Sequence, residues 1–139
     1  MNDESLVYGI KQKVSLSFEE TLRRAKTRLQ DKGFRIVTEI DMKEALAVDT
    51  NEVFSDYIIL EVCHPHLVLD VLKADLDAGL LLPCNIAVYK PLEGRAVFIT
   101  AANPTAIMRI TGQEDIIAFS EEIRGKLFHA LDQIGRDAS

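Results

Sequence analysis

Asp56-Tyr57-Ile58-Ile59-Leu60-Glu61-Val62, followed at once by Cys63-His64-Pro65-His66, decides how this chain is read. The first seven residues are mostly apolar, β-branched or aromatic, which is strand composition. Their near-continuous apolarity predicts a central strand covered on both faces. Pro65 suits the first position of a helix, because its φ is already set and its missing N–H is one that a helix start leaves unpaired. The strand therefore ends at Cys63, and a helix is expected from Pro65 to about Ala78, closed by Gly79.

Working outward, Leu6 to Val14 alternates loosely and reads as a first strand. Ser17-Phe18-Glu19-Glu20 has the form of a capping box. Its Ser17 hydroxyl and Glu20 carboxylate can both satisfy the free N–H groups of a helix start. Phe18, Leu22, Ala25 and Leu29 share one helical face, and Gly33 is the expected closing residue. Phe34 to Ile40 forms a second strand, and Asp41 caps a short helix from Met42 to Ala47. Val48 to Ser55 reads as irregular and flexible. Asn85 to Lys90 and Arg95 to Ala101 make a hairpin about Pro91-Leu92-Glu93-Gly94. Asn103-Pro104 starts a short helix, and a last helix from about Glu114 carries Ile116, Phe119, Ile123, Leu127, Ala130 and Ile134 as its buried stripe. The order βαβ(α)βαββαα predicts an α+β fold, an α/β sandwich. Its sheet has about five strands, mixed or antiparallel, with helices packed on it.

The chain has 139 residues, 47% of them hydrophobic and 27% charged, with two cysteines. That length holds one domain, 1–139, and enough apolar material for a single core. Disordered, collagen-like and disulfide-scaffold classes are excluded. A net charge of -6 argues against nucleic acid or an anionic membrane as partner. No apolar run approaches the ~20 residues of a membrane span, and no apolar signal segment follows Met1-Asn2-Asp3-Glu4. A cytoplasmic location with reduced thiols is therefore expected. Glycine-rich phosphate loops, Gly-x-Ser-x-Gly and His-Glu-x-x-His are all absent from the sequence, and no cofactor is expected.

Chemistry concentrates in Glu61-Val62-Cys63-His64-Pro65-His66: a carboxylate, a thiol and two imidazoles. Strand alternation puts Glu61 and Cys63 on one side. Cys63 lies just before a helix start, whose free N–H groups and dipole favour the thiolate. These are the parts of an activated thiol, or of a metal site using Cys63, His64, His66 and Glu61. The plainer reading makes Cys63 a small apolar filler, His64 a helix cap and His66 a solvated residue. Cys84 enters the next strand beside Asn85, and its distance from Cys63 depends on whether Gly79 to Pro83 carries the chain back along the sheet.

Arg23, Arg24, Lys26 and Arg28 resemble a basic stripe, but Glu19 and Glu20 stand four residues before Arg23 and Arg24. A solvated, ion-paired helix face is the expected reading. With no Trp and few aromatics, a base-stacking platform is not expected. His129 reads as a boundary residue.

Gly33-Phe34, Thr38-Glu39-Ile40-Asp41, Tyr57-Ile58-Ile59-Leu60, Cys63-x-Pro65, Gly79-Leu80-Leu81-Leu82-Pro83-Cys84-Asn85, and Asn103-Pro104 with Met108 together resemble the family called domain of unknown function 302. The resemblance runs from about Val7 to Ile134. It implies a small α/β sandwich, a homodimer, and no established activity. Cys63, Pro65, Cys84 and Asn85 match its motif positions; Glu61, His64 and His66 do not, so a metal site using them would be peculiar to this chain. The leading expectation is thiol-based redox or small-ligand work. Cys63 would be the thiolate and Cys84 the resolving partner, while Asn85, Pro65 and His64 would contact ligand. The alternatives are a non-catalytic binding or regulatory dimer module with structural cysteines, and a Cys/His metal-binding protein.

Overall fold

The structure, a computed structural model, describes residues 3–137. Met1 and Asn2, where the leader reading begins, lie outside the described residues. The elements are β1 (Asp3–Ser5), β2 (Gly9–Val14), α1 (Phe18–Asp31), β3 (Arg35–Asp41), α2 (Met42–Thr50), β4 (Asp56–Cys63), α3 (Pro65–Ala74), a 3-10 turn (Leu76–Leu81), β5 (Cys84–Lys90), β6 (Val97–Ala102), α4 (Pro104–Met108), a second 3-10 turn (Arg109–Thr111) and α5 (Glu114–Asp137). The strands form one antiparallel sheet in the order β1-β2-β6-β5-β4-β3. This is the α+β sandwich expected, with a three-residue edge strand beyond the five longer ones.

That edge strand precedes the segment read as a strand from Leu6 to Val14, whose first residues form the turn of a hairpin and whose remainder is β2. Leu6 and Gly9 exchange backbone hydrogen bonds, so the chain turns back before β2 begins. Gly9 is required there, since a Cβ would stand 2.3 Å from the Ala101 carbonyl oxygen.

Helix boundaries follow local chemistry. Ser17 Oγ accepts from the Glu20 N–H, but the reciprocal half of the box does not form. Glu20 turns instead to Arg23 and Arg24. The remaining basic residues of α1 are also paired. Lys26 reaches Glu39 on β3, and Arg28 holds Asp137 of α5 through two bonds of 2.6 and 2.8 Å. The stripe is a set of intramolecular ties, of which the i,i+4 spacing predicted Glu20–Arg24, while the ties to Glu39 and Asp137 come from other elements.

Two boundaries differ from expectation. The helix from Pro65 stops at Ala74, because Asp75 takes an extended conformation and its Oδ1 accepts from the Asp77 N–H. A residue that bonds its own neighbouring backbone competes with helix continuation. Gly79 consequently sits inside the 3-10 turn. Of the segment read as irregular, Val48 to Thr50 completes α2, which ends on left-handed Asn51.

The core lies on one side of the sheet. Ile58, Leu60 and Val62 of β4, Ile86 and Val88 of β5, and Val97 and Ile99 of β6 cluster with Leu29 of α1, Leu67 of α3 and Ile123, Leu127 and Ile134 of α5. A smaller cluster of Val71, Ala78, Met108 and Ile116 extends it under α3. Phe119, expected in the buried stripe, is only partly covered there. The alternating burial of β4 corrects the expectation of coverage on both faces: Tyr57, Ile59, Glu61 and Cys63 turn away from the core.

Gly33 joins two parts of this frame. Its φ of +89° follows the end of α1, and a Cβ there would lie 2.7 Å from Nε2 of His64 at the start of α3. Gly33→Ala is expected to cost about 1–3 kcal/mol by chemical denaturation, from the left-handed backbone and the imidazole contact together. Adding His64→Ala should recover only the contact part, which a double-mutant cycle measures.

Candidate functional site

The antiparallel register settles how the motif residues meet. Val62 stands opposite Cys84, and Glu61 opposite Asn85, so α3 and the 3-10 turn do return the chain to the end it left. Cys63 and Cys84 are thus one register position apart on neighbouring strands. Their side chains nevertheless take opposite faces. Cys84 follows Ile86 and Val88 into the core, while Cys63 follows Glu61 and Ile59 to the other side. Both are free thiols. Burial pushes the Cys84 thiol up from 9.0 to about 11, with Cys63 adding to the shift.

Cys63 is half-buried at the strand end, and among the described residues no hydrogen bond reaches its sulfur. His64 is the N-cap residue of α3, but its side chain makes no cap bond. Its ring packs edge-on against Phe34 at 5.5 Å, with Nδ1 buried and unpartnered. Burial lowers the His64 pKa below the usual imidazole value, with Lys126 and His66 acting the same way against Glu122 and the Lys32 backbone. His66 is exposed, 6.5 Å from His64 ring to ring. Among the described residues no three His, Cys, Asp or Glu side chains converge on one point, so Glu61, Cys63, His64 and His66 do not assemble a metal site. Pro65 is exposed at the first turn of α3.

Asn85 belongs to a different assembly. It shares the face opposite the core with Tyr57 and Ile59 of β4, Ala87 and Tyr89 of β5, and Thr100 and Ala102 of β6. Leu6 and Tyr8 from the β1–β2 turn and Lys11 from β2 complete a cleft of about 510 Å³. Small side chains at Ala87 and Ala102 make its floor. One wall is formed by Tyr57 and Tyr89, which begin a cross-strand ladder that continues outside the lining to Phe98, with centroids 5.3 and 5.4 Å apart and rings 12° and 26° from parallel. Phe54 abuts the Tyr57 end at 5.9 Å, and Lys11 Nζ stands 4.4 Å from the Phe98 centroid at the other. Antiparallel pairing puts Tyr57 opposite Tyr89 and Tyr89 opposite Phe98, which is why the rings stack.

Sequence reading passed over Lys11, Tyr57, Ala87, Tyr89 and Thr100. The signal was available in period-2 form, since Tyr57-x-Ile59, Ala87-x-Tyr89 and Phe98-x-Thr100 each alternate with core residues.

The sequence profile of the family described as Domain of unknown function DUF302 matches residues 10–134. The chain belongs to the DUF302 family. Its fold is also that of a crystal structure of an uncharacterized conserved protein DUF302 from Bacillus stearothermophilus. The two chains share 26% sequence identity with a TM-score of 0.85, over 93% of this chain and 99% of the other. No curated protein matches this DUF302 chain. Among its described residues no helix is long and apolar enough to cross a membrane.

Two outcomes follow for the residues around Cys63. Limited iodoacetamide treatment at pH 8, read by mass spectrometry, should label Cys63 and spare Cys84, since a buried thiol at about 11 is neither accessible nor ionised. A mild oxidant should yield no Cys63–Cys84 disulfide.

For His64, the folded pKa lies below the unfolded one, so the unfolded state binds the extra proton. Its contribution is complete above the ordinary imidazole value of about 6.5 and is lost as pH falls through the lower folded value. Unfolding free energy should therefore decline as pH falls below about 6.5, and His64→Gln should flatten that slope. The lowered Glu20, shifted from 4.5 to about 2, acts in a more acidic window.

Proposed function

We propose that this DUF302 protein binds a small molecule on the sheet face opposite its core, with Asn85 as the motif residue that meets the ligand. The observation that carries the reading is the cleft of about 510 Å³. Its size falls within the ~300–1,000 Å³ of small-molecule sites, and it combines an apolar floor with a few convergent polar groups. No helix lines it, and its walls are strand residues rather than loops, apart from Leu6 and Tyr8.

Of the two roles expected around the cysteines, the ligand-binding one is retained through Asn85. The exchange of a disulfide between Cys63 and Cys84 has no support in side chains that occupy opposite faces. Cys63 lies on the same face of the sheet, diagonally beyond the Glu61–Asn85 pair and outside the lining of the cleft. Cys84 is structural.

Titration of the full chain with neutral and charged aromatic fragments, followed by amide chemical shifts, tests this reading. Shifts should cluster at Asn85, Ala87, Tyr89 and Thr100, and Ala87→Phe should abolish them while leaving the thermal transition in place. Shifts confined to other surfaces would overturn the proposal. So would shifts at the cleft that follow protein concentration rather than fragment, which would assign this face to pairing between copies.

A further inference from the structure

Resting on the cleft reading above, we propose that the ligand is an organic anion with a flat apolar body, whose negative charge is taken by Lys11. The chain as a whole is acidic, at -6, yet among the described residues the lining of its cleft holds no carboxylate. Among the described lining residues the ionisable groups are Lys11 and three phenols, and phenols are neutral near pH 7. A cation in a concavity of an anionic protein, with no carboxylate among the described lining residues, is a local reversal of sign.

Lys11 is also held in place. Its Nζ sits 4.4 Å from the Phe98 centroid and 5.9 Å from that of Tyr89. Glu4 stands opposite it in the β1–β2 register, and no ion pair involving Lys11 occurs among residues 6–137. An ammonium resting on a ring face keeps N–H donors for an oxygen anion, and partial desolvation strengthens that contact. The rest of the cleft suits an apolar body. Ala87 and Ala102 leave the floor shallow, while Tyr57 and Tyr89 present a wall of nearly parallel rings. Thr100 and Asn85 supply neutral hydrogen-bonding groups along the same surface.

The test compares 2-naphthoate with its neutral counterpart 2-naphthamide, titrated into the full chain and followed by amide shifts. Naphthoate should bind about tenfold more tightly than the amide, the scale of one hydrogen bond to a charged group. Lys11→Met should remove that preference, and Lys11→Arg should retain it. Glu4→Gln should leave naphthoate affinity unchanged or improve it; a loss on removing this carboxylate would overturn the proposal. Equal binding of acid and amide within the cleft would also overturn it while leaving the cleft reading intact. If neither compound perturbs the cleft, both fall.

Discussion

Ile58, Leu60 and Val62, Ile86 and Val88, and Val97 and Ile99 all turn to one side of the antiparallel sheet, where they join Leu29 of α1 and Leu127 of α5. Burial of each large side chain contributes about 2 kcal/mol. Because strand side chains alternate strictly, a slip of one residue in any of these strands would send its whole set to the wrong face. The register of β4, β5 and β6 is therefore fixed by the core. Whatever lies at the alternate positions between these residues is placed on the other face with equal firmness, and that is how the cleft comes to be built.

The same rule separates the two cysteines. Cys84 is in phase with Ile86 and Val88 and enters the core; Cys63 is out of phase with Val62 and leaves it. Strand pairing brings their backbones side by side, so proximity along the sheet and contact between sulfurs are different matters. Asn85, one residue after Cys84, is carried to the face that Cys84 cannot reach. The Cys-Asn pair in the motif thus serves two sides of the sheet, a packing residue followed by a surface residue.

Much of the frame was legible in the sequence because its signals are local. Ser17, Asp41 and Asn103 cap helices by accepting from nearby N–H groups, and Gly33 adopts positive φ. Pro65 opens α3 as its ring dictates, and the stripe of α5 is largely buried. The harder parts depend on partners distant in sequence. Apolar residues on both faces of β4 look alike in one dimension, yet Ile58 meets helices and Ile59 lines an open cleft. His64 reads as a cap, but its ring is drawn to Phe34 across a gap that Gly33 leaves free. The division at Asp75 is stabilised by Gln113, whose amide donates to Oδ2 at 2.7 Å from 38 residues away. The aromatic ladder is the clearest instance. Tyr57, Tyr89 and Phe98 are scattered along the chain, and only strand order makes them neighbours.

That origin bears on how the cleft can work. A site assembled from loops must be ordered when its ligand arrives, and the lost freedom of each side chain weakens binding. Here the floor and ladder stand on β4, β5 and β6, whose opposite faces are fixed in the core, so their positions are set before any ligand enters. Each ring is held by the next, from Phe54 through Tyr57 and Tyr89 to Phe98, and the row ends on Lys11. A cation on a flexible four-carbon stem would ordinarily lose much rotamer freedom on meeting an anion. Stacked on Phe98, Lys11 has already given up part of that freedom, and the packing that stabilises the sheet is also what pre-positions its charge.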